Sequence, residues 1–320
     1  MRILITGTAG FIGMHLAQSL LDDGHSVVGI DNFNDYYDPR VKRDRNELLT
    51  ADPQFTGCEL DIRETDRLAD IVREEKIEIV CHLAAQAGVR YSLENPQVYE
   101  QSNLAGFLSI LEVCRHAGIP RLVYASSSSV YGGNSKVPFS ESDPVDHPVS
   151  LYAATKKANE LMAHTYTHLY GIQTVGLRFF TVYGPWGRPD MAYWLFTEAM
   201  LAAKPIKVFN HGAMRRDFTY IDDIISGVKA SLFKGGLEDY EVINLGNSRP
   251  EKLMDMIAVI GQSLGIEPEM ELLPMQPGDV ETTFADVARA REKLDYNPRT
   301  PISTGLPIFI DWYKDYFQNG

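Results

Sequence analysis

Tyr152 and Lys156 are the first residues in this sequence whose types and spacing suggest chemistry. On an α-helix, a spacing of four residues puts both side chains on one face, one turn apart. A phenol with a pKa of about 10 is a poor base at neutral pH, but a neighbouring ammonium group favours the phenolate. The pair therefore predicts a proton-transfer site. The same spacing also fits an amphipathic helix with an exposed lysine and a packed tyrosine.

A run of hydroxyl groups precedes this pair in the chain. The serines of the run 126–129 follow a short apolar segment that predicts a β-strand. Ligands bind at the carboxyl ends of strands in an open α/β sheet. We therefore expect these hydroxyls to grip a polar ligand such as a sugar, with a simple polar turn as the alternative.

A glycine-rich turn near the start of the chain predicts a dinucleotide site. Gly7, Gly10 and Gly13 follow the predicted strand Arg2–Thr6 and precede the amphipathic segment Met14–Asp22. Glycines at such a turn let the backbone approach a pyrophosphate, which then lies on the helix N-terminus. The turn therefore predicts where the phosphates of a cofactor bind.

Asp31 ends the next predicted strand, 18 residues after Gly13. A carboxylate at this position can accept hydrogen bonds from the adenosine ribose, and it would repel a 2′-phosphate. The expected cofactor is therefore NAD rather than NADP, unless Asp31 only opens a turn. Asp61 and Ile62 follow the third predicted strand and are expected to contact adenine, with a simple strand-ending turn as the alternative. Further cofactor contacts are expected from Phe11, Ile12, Asn32, Leu83, Ala84 and Ala85.

The elements that must position these residues alternate between strand and helix. Helices are predicted from Asn95-Pro96 to Ala117 and over 151–170, each followed by a glycine. This alternation predicts an α/β fold with a doubly wound parallel sheet of the Rossmann type. The predicted strands are Arg2–Thr6, Ser26–Ile30, Cys58–Leu60, Ile77–Leu83, Leu122–Ala125 and Thr174–Phe180.

The alternation changes near residue 181, where proline and glycine become denser and strand signals become short. We therefore expect residues 1–180 to form the NAD-binding domain and residues 181–320 a smaller α/β substrate lobe. The segment near 241–247 is expected to return to the main sheet.

Composition excludes several classes of function. The 320 residues carry 30 Lys and Arg against 43 Asp and Glu, a formal charge of −13, which disfavours binding to nucleic acid or to an anionic membrane. We find no apolar run of about 18–20 residues and no signal-peptide pattern. Three cysteines without metal spacing indicate neither a metal site nor a disulfide framework. A cytoplasmic location is the expectation.

The spacing G-x-x-G-x-x-G together with Tyr-x-x-x-Lys resembles the extended branch of the short-chain dehydrogenase/reductase superfamily. Over nearly its whole length the chain resembles nucleotide-sugar epimerases and dehydratases. The resemblance implies a Rossmann fold, Tyr152 as acid and base, and Lys156 on the nicotinamide ribose. The segment Val130-Tyr131-Gly132 matches a family pattern that places the catalytic hydroxyl on Ser127, with Ser128 beside the sugar.

The same resemblance implies contacts to a UDP-sugar. Thr181 lies where related epimerases often have a sugar-contacting Asn, and Phe209 matches the strand residue that covers uracil. Arg216 resembles the arginine that grips the diphosphate, although a surface arginine is the alternative. Asp279 is expected to bind a ribose hydroxyl. Gln276 departs from the family's arginine and leaves one diphosphate contact in doubt.

Three loops, over 31–39, 85–92 and 187–191, resemble those of UDP-glucuronate 4-epimerases. A uronic acid adds a carboxylate that cations must meet, and Arg188 and Arg90 are the candidates. Their alternative is a salt bridge in an acidic protein.

The expected reaction is NAD-dependent epimerisation at C4 of UDP-glucuronate, giving UDP-galacturonate through a transient 4-keto sugar. The alternatives are a UDP-glucuronate decarboxylase, a UDP-glucose or UDP-N-acetylglucosamine 4-epimerase, and a non-catalytic NAD or UDP-sugar binder. Ser128 and Ser129 replace acidic residues that decarboxylases and dehydratases carry, which disfavours those enzymes. A homodimer through the two long helices is implied by the resemblance.

Overall fold

The computed structural model describes residues 1–275 and 280–318 and shows the mixed α/β fold that the sequence predicts. The strands are β1 Arg2–Thr6, β2 Ser26–Asp31, β3 Phe55–Glu59, β4 Ile79–His82, β5 Arg121–Ser127, β6 Gln173–Phe179, β7 Thr181–Tyr183, β8 Ile206–Val208, β9 Arg215–Tyr220, β10 Tyr240–Leu245, β11 Pro250–Lys252, β12 Met270–Leu272 and β13 Thr282–Thr283. The helices are α1 Phe11–Asp22, α2 Pro39–Thr50, α3 Thr65–Glu74, α4 Tyr91–Glu94, α5 Pro96–Tyr99, α6 Gly106–Ala117, α7 Leu151–Tyr170, α8 Ala192–Leu201, α9 Ile221–Phe233, α10 Leu253–Leu264, α11 Ala288–Leu294 and α12 Ile302–Gln318.

The main sheet contains seven parallel strands in the order β10-β6-β5-β4-β1-β2-β3 within the described ranges. The central strands are apolar and buried on both faces, as expected when helices cover a parallel sheet on two sides. The strand order reverses between β1 and β4, and ligands bind at such a switch point. The prediction of a doubly wound sheet is therefore confirmed.

Strand β3 differs from the predicted segment Cys58–Leu60, since it runs from Phe55 to Glu59. It forms the edge of the sheet, and its alternate residues Thr56 and Cys58 are only partly buried. An edge strand with one wet face has no continuous apolar run, so its sequence signal is weak.

The two long helical regions, α5–α6 and α7, begin and end close to their predicted bounds. The side chain of Ser150 caps α7 by accepting a hydrogen bond from the Ala153 amide, and Gly171 ends it with a φ of +70°. The other long helix is interrupted, because α5 and α6 are joined by a π-helical segment, Glu100–Ala105. None of the helices in the part of the chain that the structure describes is long and apolar enough to cross a membrane.

All the strands that follow β6 in the chain, except β10, lie outside the main sheet. Strands β7, β9, β11 and β13 form a small sheet, and β8 pairs with β12. Strand β10 pairs with β6 in parallel at the edge of the main sheet. One apolar cluster includes residues of both regions, such as Val175, Phe218 and Phe309. The division into two domains therefore stays a prediction.

Candidate active site

A cleft of about 1160 Å³ runs along the carboxyl edge of the main sheet, between that sheet and the small one. It brings together all the sequence-predicted site residues that the structure describes. Asp279 and Gln276 lie outside the described residues. The predicted residues that line the cleft are Gly7, Gly10, Phe11, Ile12, Gly13, Asp31, Asn32, Asp61, Ile62, Leu83, Ala84, Ala85, Arg90, Ser127, Ser128, Tyr152, Lys156, Thr181, Arg188, Phe209 and Arg216.

The glycine-rich turn leaves no room for side chains. Gly7 has a φ of +79°, and a Cβ there would lie 2.8 Å from the Ala84 amide nitrogen. A Cβ on Gly13 would lie 2.0 Å from the Gly7 carbonyl oxygen, and one on Gly10 would lie 3.0 Å from the same oxygen. The turn is therefore packed tightly against β4 and against the start of α1, and its backbone is exposed to the cleft.

Helix α1 begins in this turn with Gly10 as a cap residue that offers no side-chain hydrogen bond to the first amides. The first residues of the helix, Phe11, Ile12 and Gly13, line the cleft. An N-terminus without an internal cap presents free N–H groups and a partial positive charge, which suits a pyrophosphate. This arrangement fits the phosphates of a dinucleotide.

Asp31 lies at the carboxyl end of β2, directly beside the glycine-rich turn. Its carboxylate accepts hydrogen bonds from the Ala9 amide at 3.1 Å and the Phe33 amide at 2.9 Å. Burial raises the pKa of Asp31, while the Phe33 amide and the charge of Lys42 oppose the rise. Asp31 is thus fixed toward the cleft, as a residue that binds ribose hydroxyls must be.

Asp61 and Asn32 lie on the next part of the cleft wall. The side-chain amide of Asn32 donates to the Asp61 carboxylate at 3.1 Å. The Arg63 guanidinium binds the same carboxylate at two points, and these hydrogen bonds lower the pKa of Asp61 to about 2. The carboxylate of Asp61 is therefore shared with Arg63, so a contact from Asp61 to adenine stays a prediction.

Tyr152 lies in the first turn of α7, where the partial positive charge of the helix N-terminus favours an anion. Burial raises the pKa of its phenol, whereas a hydrogen bond with Ser127 and the charge of Arg188 lower it. The charge of Asp190 raises it again. The phenol therefore lies among groups that control its ionisation, as expected for an acid and base.

Lys156 follows one turn later and is buried. Its ammonium group donates to the Ala125 carbonyl oxygen at 2.8 Å, and burial lowers its pKa to about 8. The spacing of the pair predicts that Lys156 lowers the pKa of Tyr152. In the structure, the groups that lower it are Ser127 and Arg188, so Arg188 has part of the electrostatic role expected for the lysine.

The hydroxyls of Ser126 and Ser127, the first two serines of the run 126–129, have different hydrogen-bond partners. Ser127 ends β5 and caps a short 3₁₀ turn, Ser128–Tyr131, by accepting the Ser129 amide at 3.1 Å. The hydroxyl of Ser126 instead donates to the buried Glu160 carboxylate at 2.7 Å. Successive residues of a strand point to opposite faces, so the Ser126 hydroxyl points away from that of Ser127. A role of all four hydroxyls in ligand binding stays a prediction, and the Ser126 hydroxyl is already bonded to Glu160.

Arg188 and Asp190 form an ion pair in the cleft. The guanidinium binds the carboxylate at two points, with Nε to Oδ1 at 3.0 Å and Nη2 to Oδ2 at 2.5 Å. The phenol of Tyr36 donates to the same carboxylate at 3.1 Å. Burial lowers the pKa of Arg188, but the charge and hydrogen bond of Asp190, together with the nearby phenols of Tyr36 and Tyr152, make the net shift upward. Asp190 and Tyr36 lie in the loops 187–191 and 31–39 that carry the family resemblance, but neither was singled out as a site residue, because nothing local shows that the two loops meet.

Arg90, Phe209 and Arg216 line the cleft beside the small sheet. The guanidinium of Arg90 lies over the ring of Phe209, 5.1 Å from its centroid. Arg216 donates to the Glu281 carbonyl oxygen at 3.0 Å. Arg90 is therefore next to the residue expected to cover uracil, and Arg188 is the cation that acts on Tyr152.

Two buried groups behind the cleft were also missed. The Asn103 side chain, in the π-helical segment, bonds the backbone of Gln86 and the hydroxyl of Thr155, and so joins the cleft wall to α7. Arg178 binds Glu160 at two points beneath the serine run. The only sequence signal for these groups was a polar residue within a strand or helix pattern.

Comparison with known proteins gives one family. The model described as "NAD dependent epimerase/dehydratase family" matches residues 3–246. Protein CapI of Staphylococcus aureus is 49% identical to this chain, and the match covers 99% of this chain and 100% of CapI. UDP-glucuronate 4-epimerase 4 of Arabidopsis thaliana is 48% identical, with 99% of this chain and 76% of the relative covered.

A solved structure has the same fold throughout. It is the UDP-glucuronic acid 4-epimerase of Bacillus cereus, in complex with UDP-glucuronic acid and NAD. It superposes with a TM-score of 0.92 at 37% sequence identity, and the match covers 99% of this chain and 100% of that chain. The fold predicted from the sequence and the resemblance to nucleotide-sugar epimerases are thereby confirmed.

Proposed function

Because this chain belongs to the NAD-dependent epimerase/dehydratase family, we propose that it interconverts UDP-glucuronate and UDP-galacturonate by epimerisation at C4. The observation that carries the proposal is the position of Arg188, a half-buried cation in the cleft whose charge acts on the Tyr152 phenol. A cation beside the proton-transfer residue suits a sugar that carries a carboxylate close to the reacting carbon. The similarity to proteins named as UDP-glucuronate 4-epimerases supports this substrate.

The cofactor is NAD, as the family description states. We propose that the glycine-rich turn and the amides of α1 hold its pyrophosphate, Asp31 its adenosine ribose and Lys156 its nicotinamide ribose. Bound NAD supplies the acceptor and donor of the hydride at C4. The tight packing of Gly7, Gly10 and Gly13 supports this placement, because only glycines leave the backbone open to phosphate there.

Tyr152 carries the proton in this proposal. As a phenolate it takes the proton from the C4 hydroxyl, which becomes the 4-keto oxygen as the hydride leaves, and it returns the proton when the hydride comes back. Ser127 holds the same oxygen by a hydrogen bond. The nucleotide stays anchored at Phe209 and Arg216 while the 4-keto sugar turns over within the cleft. Ser127, Tyr152, Phe209 and Arg216 all line the same cleft, which supports these roles on one bound sugar nucleotide.

Arg188 is the proposed clamp for the sugar carboxylate. A 4-keto uronate is a β-keto acid, which loses CO₂ when its carboxylate aligns with the carbonyl π system. An epimerase must therefore hold the carboxylate out of that alignment until the hydride returns. A guanidinium can bind both carboxylate oxygens and fix their orientation. The location of Arg90 over Phe209 supports Arg188, rather than Arg90, in this role.

The test is to incubate the purified protein with NAD and UDP-glucuronate and to follow the sugar protons by NMR. We expect UDP-galacturonate with little UDP-4-keto-pentose or UDP-xylose, and slow turnover of UDP-glucose, whose uncharged C6 group offers the Arg188 guanidinium no second carboxylate besides that of Asp190. Arg188→Met should raise the KM for UDP-glucuronate and release more CO₂ per turnover. Arg73→Met, which changes an exposed arginine on α3, should do neither. Equal efficiency with UDP-glucose would overturn the uronate assignment.

We also propose that the protein forms a homodimer through α6 and α7. Leu108 on α6 is 44% exposed, and Leu161 and Leu169 on α7 are each 59% exposed. Leu161 and Leu169 are eight residues apart and lie on one helix face. Sedimentation should give a dimer, and Leu161→Glu should shift it to monomer. Leu272→Glu, at an exposed position on β12, is the control that should leave the dimer intact.

A cytoplasmic location is the last part of the proposal. Cys81 and Cys114 are free and buried, and burial raises the pKa of both thiols, which keeps them unreactive. Free thiols are usual in a reducing compartment. Fractionation of cells that express the protein would test this location.

A further inference from the structure

Arg45 is fully buried, although no catalytic or binding role has been assigned to it. It lies on α2, outside the cleft lining. Burying a guanidinium is costly, and a well-packed apolar residue of similar size often gives equal or greater stability. A buried arginine that makes specific contacts therefore calls for an explanation beyond stability.

The guanidinium joins two loops that are far apart in the sequence. Nη1 donates to the Ala9 carbonyl oxygen at 3.0 Å, within the glycine-rich turn, and to the Tyr37 hydroxyl at 2.6 Å. Nη2 donates to the carbonyl oxygens of Trp186 at 2.7 Å and Gly187 at 2.8 Å. One planar group thus connects the proposed phosphate site to the residues that directly precede Arg188.

In the glycine-rich turn, both backbone polar groups of Ala9 are hydrogen-bonded to side chains. The amide of Ala9 donates to the Asp31 carboxylate at 3.1 Å, while its carbonyl oxygen accepts from Arg45. A second link runs parallel to this one, because the ring of His15 on α1 bonds the Pro185 carbonyl oxygen at 2.9 Å. Any ligand that orders the glycine-rich turn and Asp31 therefore acts on the same hydrogen-bond network that holds the 185–187 loop.

The backbone of this loop is constrained at the point where Arg45 binds. Trp186 has a φ of +57°, a left-handed conformation that costs energy for a residue with a side chain. A Cβ on Gly187 would lie 1.9 Å from the Tyr193 hydroxyl oxygen. Arg45 binds the Trp186 and Gly187 carbonyl oxygens and His15 binds that of Pro185, so these contacts help to hold the loop in this strained shape. The direction in which the chain enters Arg188 depends on that shape.

We propose that Arg45 is a positioning residue that couples NAD binding to the placement of Arg188. The inference rests on the proposed function, because it assigns a purpose to Arg188 as the carboxylate clamp. NAD bound on the glycine-rich turn stabilises that turn and, through Arg45, the 185–187 loop that presents the Arg188 guanidinium to the sugar. Binding of the uronate is thereby linked to the presence of the cofactor that must capture its hydride.

Arginine has the geometry for this task, and lysine does not. A guanidinium donates in several fixed directions in one plane, so it can serve Ala9 and Gly187 at once. The single ammonium group of a lysine keeps the charge but cannot reach both loops with the same directions. Arg45→Lys is therefore the variant that removes the coupling while leaving the buried charge. Arg40→Lys makes the same substitution at an exposed position of the same helix, and it is the matched control for Arg45→Lys.

The experiment measures binding rather than turnover. In a Tyr152→Phe background, which stops the reaction, calorimetry gives the dissociation constants of UDP-glucuronate and UDP-glucose with and without NAD. We expect NAD to tighten UDP-glucuronate binding by about fivefold or more, the lower range of ordinary coupling between sites. In Arg45→Lys this factor should fall to near one, whereas UDP-glucose binding should hardly change. Arg40→Lys should behave as the parent.

Tryptophan fluorescence gives a second readout that needs no sugar. The chain's three tryptophans form one cluster, in which the Trp186 ring lies 5.0 Å from that of Trp312, and Trp312 lies 5.5 Å from Trp194. NAD should change the emission of the parent and of Arg40→Lys, and it should change that of Arg45→Lys much less. If Arg45→Lys does not fold, Tyr37→Phe removes one Arg45 partner and should reduce the coupling in the same direction.

The outcomes separate this inference from the function on which it rests. If Arg45→Lys keeps both the NAD-dependent tightening of UDP-glucuronate binding and the fluorescence change, Arg45 only stabilises the fold and the inference is wrong. If the parent binds UDP-glucose as tightly as UDP-glucuronate, the uronate assignment fails instead. The fluorescence change would then still test whether Arg45 transmits NAD binding to the Trp186 loop.

Discussion

Arg188 and Asp190 form a two-point ion pair whose opposite charges both act on the Tyr152 phenol. The positive partner lowers the pKa of the phenol and the negative partner raises it. Asp190 also orients the guanidinium through a planar contact, with support from the Tyr36 hydroxyl. The pair thus connects the group proposed to hold the carboxylate with the group proposed to move the proton.

Opposite shifts of the pH profile should follow from removing either charge. Without the positive charge in Arg188→Met, the pKa of Tyr152 rises, less phenolate is present at a given pH, and the acid limb of kcat moves to higher pH. Without the negative charge in Asp190→Asn, the pKa falls and the acid limb moves to lower pH. Profiles of kcat for both variants check the signs, and equal shifts in one direction would contradict the assignment.

Tyr152→Phe should keep the fold and NAD binding but lose about two to four decades of kcat, the usual scale for removing a general acid and base. The phenol oxygen is the only atom changed, so packing of α7 should be preserved. Steady-state rates with UDP-glucuronate and calorimetry with NAD measure the two effects. Tyr170→Phe, at the exposed end of the same helix, is the control that should retain activity. Turnover of Tyr152→Phe near the wild-type rate would show that another group moves the proton.

Asp31 should make the protein prefer NAD to NADP by at least about tenfold in dissociation constant, since two like charges about 4 Å apart at a partly buried site repel by about 4 kcal/mol. Asp31→Asn removes the charge, so NADP should bind more tightly and the preference should shrink. Asp35→Asn removes an exposed charge from the following loop and should leave the preference unchanged. Fluorescence titrations give the dissociation constants of NAD and NADP for each variant. An unchanged preference in Asp31→Asn would show that Asp31 does not repel the 2′-phosphate.

Asp217 should be important for stability. Its buried carboxylate accepts three backbone amides, from Asn247 at 2.5 Å, Ser248 at 3.1 Å and Ala285 at 2.8 Å. In Asp217→Asn an NH₂ group faces some of these N–H donors, so the free energy of unfolding should fall by about 1–3 kcal/mol. Urea denaturation checks this, with the exposed Asp222→Asn as control. A variant as stable as wild type would show that these hydrogen bonds contribute little.

Burial raises the pKa of Asp217 to about 6, and its four hydrogen bonds oppose the rise. Because the folded-state pKa lies above the unfolded value, the proton binds the folded state more tightly. The stabilisation from this proton is full below about pH 4, the unfolded pKa. It is lost as the pH rises through 6. The difference in unfolding free energy between wild type and Asp217→Asn should therefore change between these two pH values.

The sequence by itself determined the parts of this protein that depend on local patterns. The positive φ of Gly7 and the close approach of Gly13 to the turn need glycine, so the glycine-rich turn was readable as a phosphate site. The predicted helix 151–170 matches the observed one at both ends; Gly171 ends it in the left-handed conformation, as predicted, and Ser150 caps its start. The buried parallel strands were visible as apolar runs. Each of these signals lies within about 20 residues of chain.

Only the tertiary structure decided how distant loops meet. Arg45 bonds Gly187, 142 residues away, and nothing local distinguishes Arg45 from the exposed Arg43 two residues earlier. The pairing of Arg188 with Asp190 has a local spacing, but its effect on Tyr152 depends on how the 185–190 loop folds over the sheet. The order of the strands sets which loops share the carboxyl edge, and side-chain directions then decide which charges act on one another. That information lies in the packing of the whole chain, because contacts between distant residues have no period or spacing to read.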